Sequence, residues 1–230
     1  INFYFRDIEE MKLTDDIYIK MNSRGKPLTD FEHFKAELLK VMRSENDDEA
    51  TAKRIGLKID REWTDLLWIY RDEYNLVDSG FLNFFHMISL ILVYKSDRSS
   101  SEFDLEDDFS LLERLYKNQP KNVVFFECMV NIQNKAQRSN SLILNPIDIF
   151  FNSYLSKDYH EHEKVVVSQQ ITDLNIFKGV LTGAALRKNT TYWLIMLYSF
   201  LIYFMNYDKI KEMDFRRRLR VVVNLLKNSR

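Results

Sequence analysis

The hydrophobic and polar positions of this chain follow a helical period over most of its length. Apolar side chains recur three to four residues apart in successive segments after residue 12, which is the spacing of an amphipathic α-helix. The predicted helices are 14–22, 30–41, 60–73, 81–94, 105–117, 122–137, 147–155, 164–177, 192–207 and 215–227. Residues 1–8 instead alternate apolar residues with others, which indicates one β-strand. The pattern predicts a mainly α fold, in which a multi-helix domain follows a small unit of one strand and two helices.

The chain is predicted to divide near residue 45, where the acidic stretch 45–49 forms a solvated connector. We expect two units, residues 1–45 and an all-helical domain of residues 46–230. Segment 81–94 is apolar on nearly all sides, so we expect it at the centre of that domain. Pro120 and Pro146 stand where helices are predicted to begin, a position that suits proline because the first helical amide needs no partner.

A basic turn joins the first two predicted helices. Pro27 holds the preceding residue in an extended conformation, and the pattern from Thr29 to Glu32 predicts a capping box at the start of the next helix. Free amides at that helix start could contact an anion together with the turn residues. The candidate phosphate-binding residues are Asn22, Ser23, Arg24, Gly25 and Lys26. A purely structural turn is the alternative, and the segment does not contain a P-loop pattern.

Composition limits the classes of function. The net charge is −1, so attraction to a polyanion must come from a local patch. A single cysteine, Cys128, excludes an intramolecular disulfide and fits a reducing, cytoplasmic location, and we interpret it as an inert buried thiol. The longest apolar run, 192–205, is too short to span a bilayer, so we expect a core helix and no membrane partner.

Two segments rich in titratable residues and one histidine in an apolar segment are candidates for sites of chemistry. His160 and His162 would lie about 200° apart on a helix and cannot chelate one metal together, so a solvated loop is the preferred interpretation. The acidic run 102–108 is interpreted as the solvated first turn of a helix rather than a divalent-metal site. His86, within an apolar helix, is interpreted as a hydrogen-bonded core histidine. We predict neither a metal site nor a catalytic residue in this chain.

The C-terminal segment carries a second candidate binding surface. Eight Lys and Arg residues against Glu212 and Asp214 give residues 209–230 a net charge of +6. A helix here would present apolar residues on one side and clustered guanidinium groups on the other. Those groups could face phosphates or an acidic neighbouring domain, or form a solvated face that pairs with acidic runs elsewhere in the chain. The basic residues of this secondary patch are Arg216, Arg217, Arg218 and Arg220.

Two motifs carry a resemblance to a known family. Residues 17–29, IYIKMNSRGKPLT, resemble the (I/L)-N-(S/T)-x-G-x-x-L-(S/T) signature of GmrSD-type bacterial proteins. These proteins have a ParB/sulfiredoxin-like N-terminal domain, and many belong to phage-defence or modification-dependent restriction systems. Arg220, Asn224 and Leu225 are similar to the R-x-x-x-N-L helix that closes the helical region of the family, and the intervening stretch is similar in style. Together the resemblance covers most of the chain.

The resemblance implies a role for this chain within a larger protein. The family's Asp-Gly-Gln-Gln-Arg motif would precede Ile1 and its HNH nuclease domain would follow Arg230, and this chain contains neither. Residues 1–45 would then be the C-terminal part of a ParB-like α/β domain, and residues 46–230 a helical middle domain. The parent protein would use an NTP and a divalent metal, and its partners would be a nucleotide and modified DNA. The turn residues at 22–26 would complete a phosphate- or DNA-facing edge.

A second hypothesis comes from a different functional class. The helical, aromatic-rich composition and near-zero net charge also fit a non-catalytic protein-interaction module, which binds other proteins or self-associates as a homo-oligomer. Salt-dependent DNA binding through the C-terminal arginines would favour the first hypothesis over the second.

Overall fold

The computed structural model describes residues 28–43, 49–96, 103–127, 146–169 and 171–228, and this part of the chain is mainly α-helical. The helices are α1 Asp30–Met42, α2 Glu49–Lys58, α3 Thr64–Trp68, α4 Asp78–Lys95, α5 Asp108–Tyr116, α6 Pro120–Phe126, α7 Pro146–Tyr154, α8 Ile176–Leu181, α9 Ala184–Arg187, α10 Thr190–Met205 and α11 Glu212–Asn228. Two short strands, β1 Leu155–Ser156 and β2 Val165–Val166, pair in parallel. The mainly α prediction is therefore confirmed. The predicted strand at 1–8, the helix at 14–22, the turn at 22–27 and Cys128 lie outside the described residues.

Helix α4 is the centre of the fold, as its sequence predicts. It contacts α1, α5, α6, α8 and α10. Phe81, Phe84 and Phe85 are fully buried on it, and their rings meet those of Phe34 and Phe126 edge to face or tilted. Each buried phenylalanine contributes about 1.5–3 kcal/mol through loss of its contact with water. The helices on either side are therefore held by one aromatic core.

The predicted capping box at the start of α1 is confirmed. The Thr29 hydroxyl accepts from the Glu32 amide at 3.2 Å, and the Glu32 carboxylate accepts from the Thr29 amide at 2.8 Å. Phe34 and Leu38 are buried on the face that packs against α2, α4 and α5. The division of the chain near residue 45 stays a prediction, because most of residues 1–45 lie outside the described part.

The predicted helix 60–73 is wrong at both ends. Helix α2 already begins at Glu49 and continues through a π-helical turn, Ile59–Trp63, into α3. The extra residue of the π turn changes the phase of the helix, and Ile59 and Trp63 are both buried. The helix ends early because the Asp72 carboxylate accepts from backbone amides of the following turn, which closes at Asn75 with a φ of 61°.

The predicted helix 164–177 is also wrong over most of its length. Val165 and Val166 pair with β1, since branched side chains suit an extended backbone. Helix α8 begins only at Ile176, where the Asn175 side chain accepts from the Lys178 amide at 2.9 Å. Periodicity alone could not reveal the strand, because its partner lies in another part of the chain. The predicted helix at 105–117 likewise begins later, after the Asp107 cap of α5.

The C-terminal helices rest on a second group of aromatic rings. Tyr203 and Phe215 stack with centroids 4.0 Å apart, and Phe200 lies against Phe215 at 5.3 Å. The Tyr154 and Tyr203 hydroxyls are hydrogen-bonded at 3.1 Å. Burial, followed by the hydrogen bond to Tyr203, raises the pKa of Tyr154. None of the helices in the described segments combines the length and apolar character that crossing a membrane would require.

Candidate functional site

Of the two sets of binding residues expected from the sequence, the structure describes one. Asn22, Ser23, Arg24, Gly25 and Lys26 lie outside the described residues, so their phosphate-binding role stays a prediction. The arginines of the secondary basic patch all lie on α11: Arg216, Arg217, Arg218 and Arg220. Their side chains have two different environments.

Arg216 and Arg220 hold α11 against the end of α7 and the loop that joins the two strands. The Arg216 guanidinium lies 4.5 Å from the Tyr154 ring centroid and donates to the Ser153 carbonyl at 2.7 Å. The same group is paired with Glu212, with 2.6 Å between Nη2 and Oε1. One turn later, Arg220 donates to the carbonyls of residues 162 and 163 at 2.7 and 3.1 Å. These two arginines use their hydrogen-bonding capacity within the fold.

Arg217 and Arg218 lie on the outer face of the same helix. The side chain of Arg217 is 69% exposed, and its nearest carboxylate is Asp214 at 3.9 Å. Arg218 is exposed and has no ion pair or hydrogen bond with any residue that the structure describes. Successive helical residues are separated by about 100°, so consecutive arginines point in different directions. Arg216 and Arg220 form the anchored edge of α11, and Arg217 and Arg218 form its outer edge. The outer edge can still bind an anion.

The outer face of α11 is not purely basic. Met213, Val221 and Leu225 are 64%, 59% and 66% exposed. With Arg217 they recur every four residues, so they form one stripe along the helix. Next to it, an apolar groove of about 310 Å³ runs between α10 and α11 and includes Arg218 in its lining. The surface therefore combines apolar contact area with free positive charge.

A second polar region lies on α4, far along the chain from α11. His86 Nδ1 and Asp108 Oδ1 are 2.7 Å apart, and their side chains are 19% and 26% exposed. An ionised carboxylate can only accept, so Nδ1 carries the hydrogen. When the ring is neutral, its Nε2 then has a free lone pair. No residue in the described segments is hydrogen-bonded to Nε2. This pair of side chains is called the His86–Asp108 dyad below.

The His86–Asp108 dyad lines a cleft of about 350 Å³. Asn83, one turn earlier on α4, also lines it, and its Nδ2 donates to the Leu181 carbonyl at 2.8 Å. That bond uses a donor of the amide and leaves Oδ1 as an acceptor. The remaining lining residues are mostly leucines with two hydroxyl groups: Leu82, Leu90, Tyr94, Leu105, Leu186 and Thr190.

The sequence predicts that His86 is hydrogen-bonded in the core, but it does not assign His86 to a site. The histidine is hydrogen-bonded as expected, yet it is partly exposed to a cleft. The signal that could have identified the site is the pairing of two consecutive helices, α4 and α5, with a histidine on one and an aspartate at the start of the other. That signal depends on how the helices pack, which the sequence pattern does not determine.

Of the two other candidate segments, the one with the two histidines is placed as expected. The acidic run is not the first turn of a helix, because Asp104 and Glu106 lie in the loop before α5 and the helix begins only at Asp108. His160 and His162 lie in the exposed loop between β1 and β2. Within the acidic run, Asp107 caps α5 by accepting from the Phe109 amide at 3.0 Å. Among the described residues, no group of three His, Cys, Asp or Glu side chains is placed to hold a metal ion.

Comparison with protein-family models gives no match for this chain, and neither curated proteins nor solved structures match it.

Proposed function

We propose that this chain is the helical part of a bacterial defence protein of the GmrSD type, in which it couples recognition of NTP and modified DNA to cleavage by other domains. The observation that carries the proposal is the free outer edge of α11. Arg217 and Arg218 are exposed and keep their guanidinium groups available, while Arg216 and Arg220 fix the helix on which they lie. Guanidinium groups on a firmly held helix suit the phosphates of a DNA backbone.

The resemblance of residues 17–29 and 220–225 to GmrSD-type motifs supports the same assignment. In that proposal Asn22, Arg24 and Lys26 face a nucleotide or DNA phosphate, and Gly25 shapes the turn. DNA contact by α11 would be independent of base sequence, because phosphates carry no sequence information directly.

The test of the DNA contact is the salt dependence of binding. Fluorescence anisotropy with a labelled duplex gives the slope of log affinity against log salt concentration. The Arg217→Ala/Arg218→Ala variant is expected to reduce the magnitude of that slope by about 2, because each lost phosphate contact removes about one counterion. Lys53→Ala/Lys121→Ala, on α2 and α6, has the same charge change and is expected to leave the slope nearly unchanged. Equal slopes in the wild type and the arginine variant would contradict the DNA role of α11.

The turn is tested separately. Arg24→Ala/Lys26→Ala in the full-length protein is expected to abolish nucleotide-stimulated activity, while circular dichroism shows an unchanged helical content. Activity at the wild-type level would exclude a phosphate-binding role for these two side chains.

A second candidate function is a protein-interaction module, and the exposed stripe of α11 favours it. Met213, Val221 and Leu225 provide apolar contact area next to the free guanidinium groups. Charge complementarity makes an amphipathic helix with acidic flanks the best-fitting partner, because a second copy of α11 would bring like charges together. Val221→Ser/Leu225→Ser distinguishes the two functions. It should weaken such a peptide complex by about tenfold or more, whereas DNA binding should stay unchanged.

A further inference from the structure

The His86–Asp108 cleft presents several hydrogen-bond acceptors, which the proposed function does not use. Three acceptor atoms on its wall have no partner among the described residues: His86 Nε2, Asn83 Oδ1 and Asp108 Oδ2. The donors on the same two side chains are used inside the fold, since Asn83 Nδ2 binds the Leu181 carbonyl and His86 Nδ1 binds Asp108. The Tyr94 and Thr190 hydroxyls, which also line the cleft, can either donate or accept. The three acceptors suit a ligand that brings donors.

Acidic residues flank the cleft on the side of the loop before α5. The loop before α5 contributes Leu105 to the lining and carries Asp104, Glu106 and Asp107 on either side of it. None of these three carboxylates is paired with a cation in the described residues, although Asp104 and Asp107 accept from backbone amides. Arg187 and Lys188 follow the lining residue Leu186, so it is the side of the cleft next to α5 that favours a positively charged group.

The acceptors are also fixed in place. Asn83 and His86 lie one turn apart on the central, fully packed α4, and each side chain is oriented by its own hydrogen bond. Oriented acceptors suit a planar donor group better than a spherical ion, because several hydrogen bonds can form at once. The absence of a three-ligand group among the described residues argues against a metal ion here. The volume of about 350 Å³ is that of a small-molecule site.

We propose that this cleft binds a guanidinium group, whose N–H donors are accepted by His86 Nε2 and Asn83 Oδ1 and whose charge is balanced by Asp108. The leucines of the cleft, Leu82, Leu90, Leu105 and Leu186, contact the alkyl chain that carries the group. The guanidinium belongs either to a free alkylguanidine or to an arginine side chain of a peptide, and the experiment separates these two sources.

The experiment is an NMR titration of the whole chain in mildly alkaline buffer, followed at the ring resonances of His86. n-Butylguanidine and an arginine tripeptide with blocked, uncharged termini are the two guanidinium probes, and n-butylamine is the ammonium control. We expect saturable shifts of the His86 resonances with a guanidinium probe, and at least about tenfold weaker binding of n-butylamine. The tighter of the two guanidinium probes identifies the source.

Two matched variants show whether the dyad is responsible. Asp108→Asn should weaken guanidinium binding about tenfold or more, whereas Asp104→Asn, with the same charge change in the loop before α5, should weaken it less than about twofold. No shift of His86 with millimolar n-butylguanidine overturns the proposal, and so does equal weakening by the two variants. Equal binding of n-butylamine overturns the preference for guanidinium. The wild-type titration shows whether the cleft binds a guanidinium group even where a variant fails to fold. Its result does not depend on any DNA-binding measurement.

Discussion

The two edges of α11 carry the same residue type in opposite roles. On the anchored edge, Arg216 binds the Ser153 carbonyl at the end of α7 and Arg220 binds the carbonyl of residue 162 in the loop between the strands. Arg216 also lies on the Tyr154 ring. On the outer edge, Arg217 and Arg218 face solvent. The difference shows that a run of arginines in a sequence is not one patch, because the helix distributes its members between support and surface. Only the outer edge is available to a partner.

The largest expected effect on the anchored edge comes from removing the buried ring that packs α11 against the rest of the fold. Phe215→Ala deletes a buried ring that stacks on Tyr203 and touches Tyr154 and Phe200. We expect a loss of about 3–5 kcal/mol in the free energy of unfolding, because the cavity cannot be refilled. Urea denaturation followed by circular dichroism measures it. Leu225→Ala, on the exposed side of the same helix, is the control and should change stability by less than about 0.5 kcal/mol.

A smaller effect should separate the two edges directly. Arg216→Ala removes hydrogen bonds to the Ser153 carbonyl and the Glu212 carboxylate, and we expect it to lower the free energy of unfolding by about 2 kcal/mol. Arg217→Ala should change it by less than about 0.5 kcal/mol, since its nearest carboxylate is 3.9 Å away on the surface. Parallel urea titrations test both variants. Equal losses would show that the anchored and outer edges do not differ energetically.

The smallest effect concerns alkaline pH. Burial raises the pKa of Tyr154 above that of an unfolded tyrosine, which is about 10. As the pH rises above about 10, the unfolded chain loses this proton before the folded chain does, so stability present below that pH is lost. Tyr154→Phe keeps the ring beneath Arg216 and should make the decline of stability above this pH less steep. Thermal melts at a series of alkaline pH values measure the decline, and Tyr74→Phe, at an exposed position, should reproduce the wild-type curve.

The sequence predicted features that depend on neighbours in the chain. The capping box from Thr29 to Glu32 and the central position of α4, which is apolar on nearly all sides, are both confirmed. The starts of α6 and α7 at Pro120 and Pro146 are confirmed as well. In each case the relevant residues lie within one helical segment, so local periodicity and turn chemistry contain the information.

Features that depend on how separate segments pack were not predictable in this way. The pairing of Val165 with Leu155 and the π turn at Ile59–Trp63 both depend on how segments pack. The same holds for the candidate sites. The basic character of α11 is readable from its sequence, but the division of its arginines depends on the position of the 157–164 loop. The His86–Asp108 dyad depends on the packing of α5 beside α4.

The anchored edge of α11 also has a consequence for biosynthesis. Arg216, Arg220 and Lys227 donate to main-chain carbonyls at positions 153, 162, 163 and 166, which lie 53 to 63 residues earlier in the chain. During translation, those carbonyls leave the ribosome before the helix that will bind them has been made. The contacts between α11 and this part of the chain can therefore form only at a late stage of synthesis. Because the contacts are to the backbone, substitutions of the loop side chains at 162 and 163 should leave that final step intact.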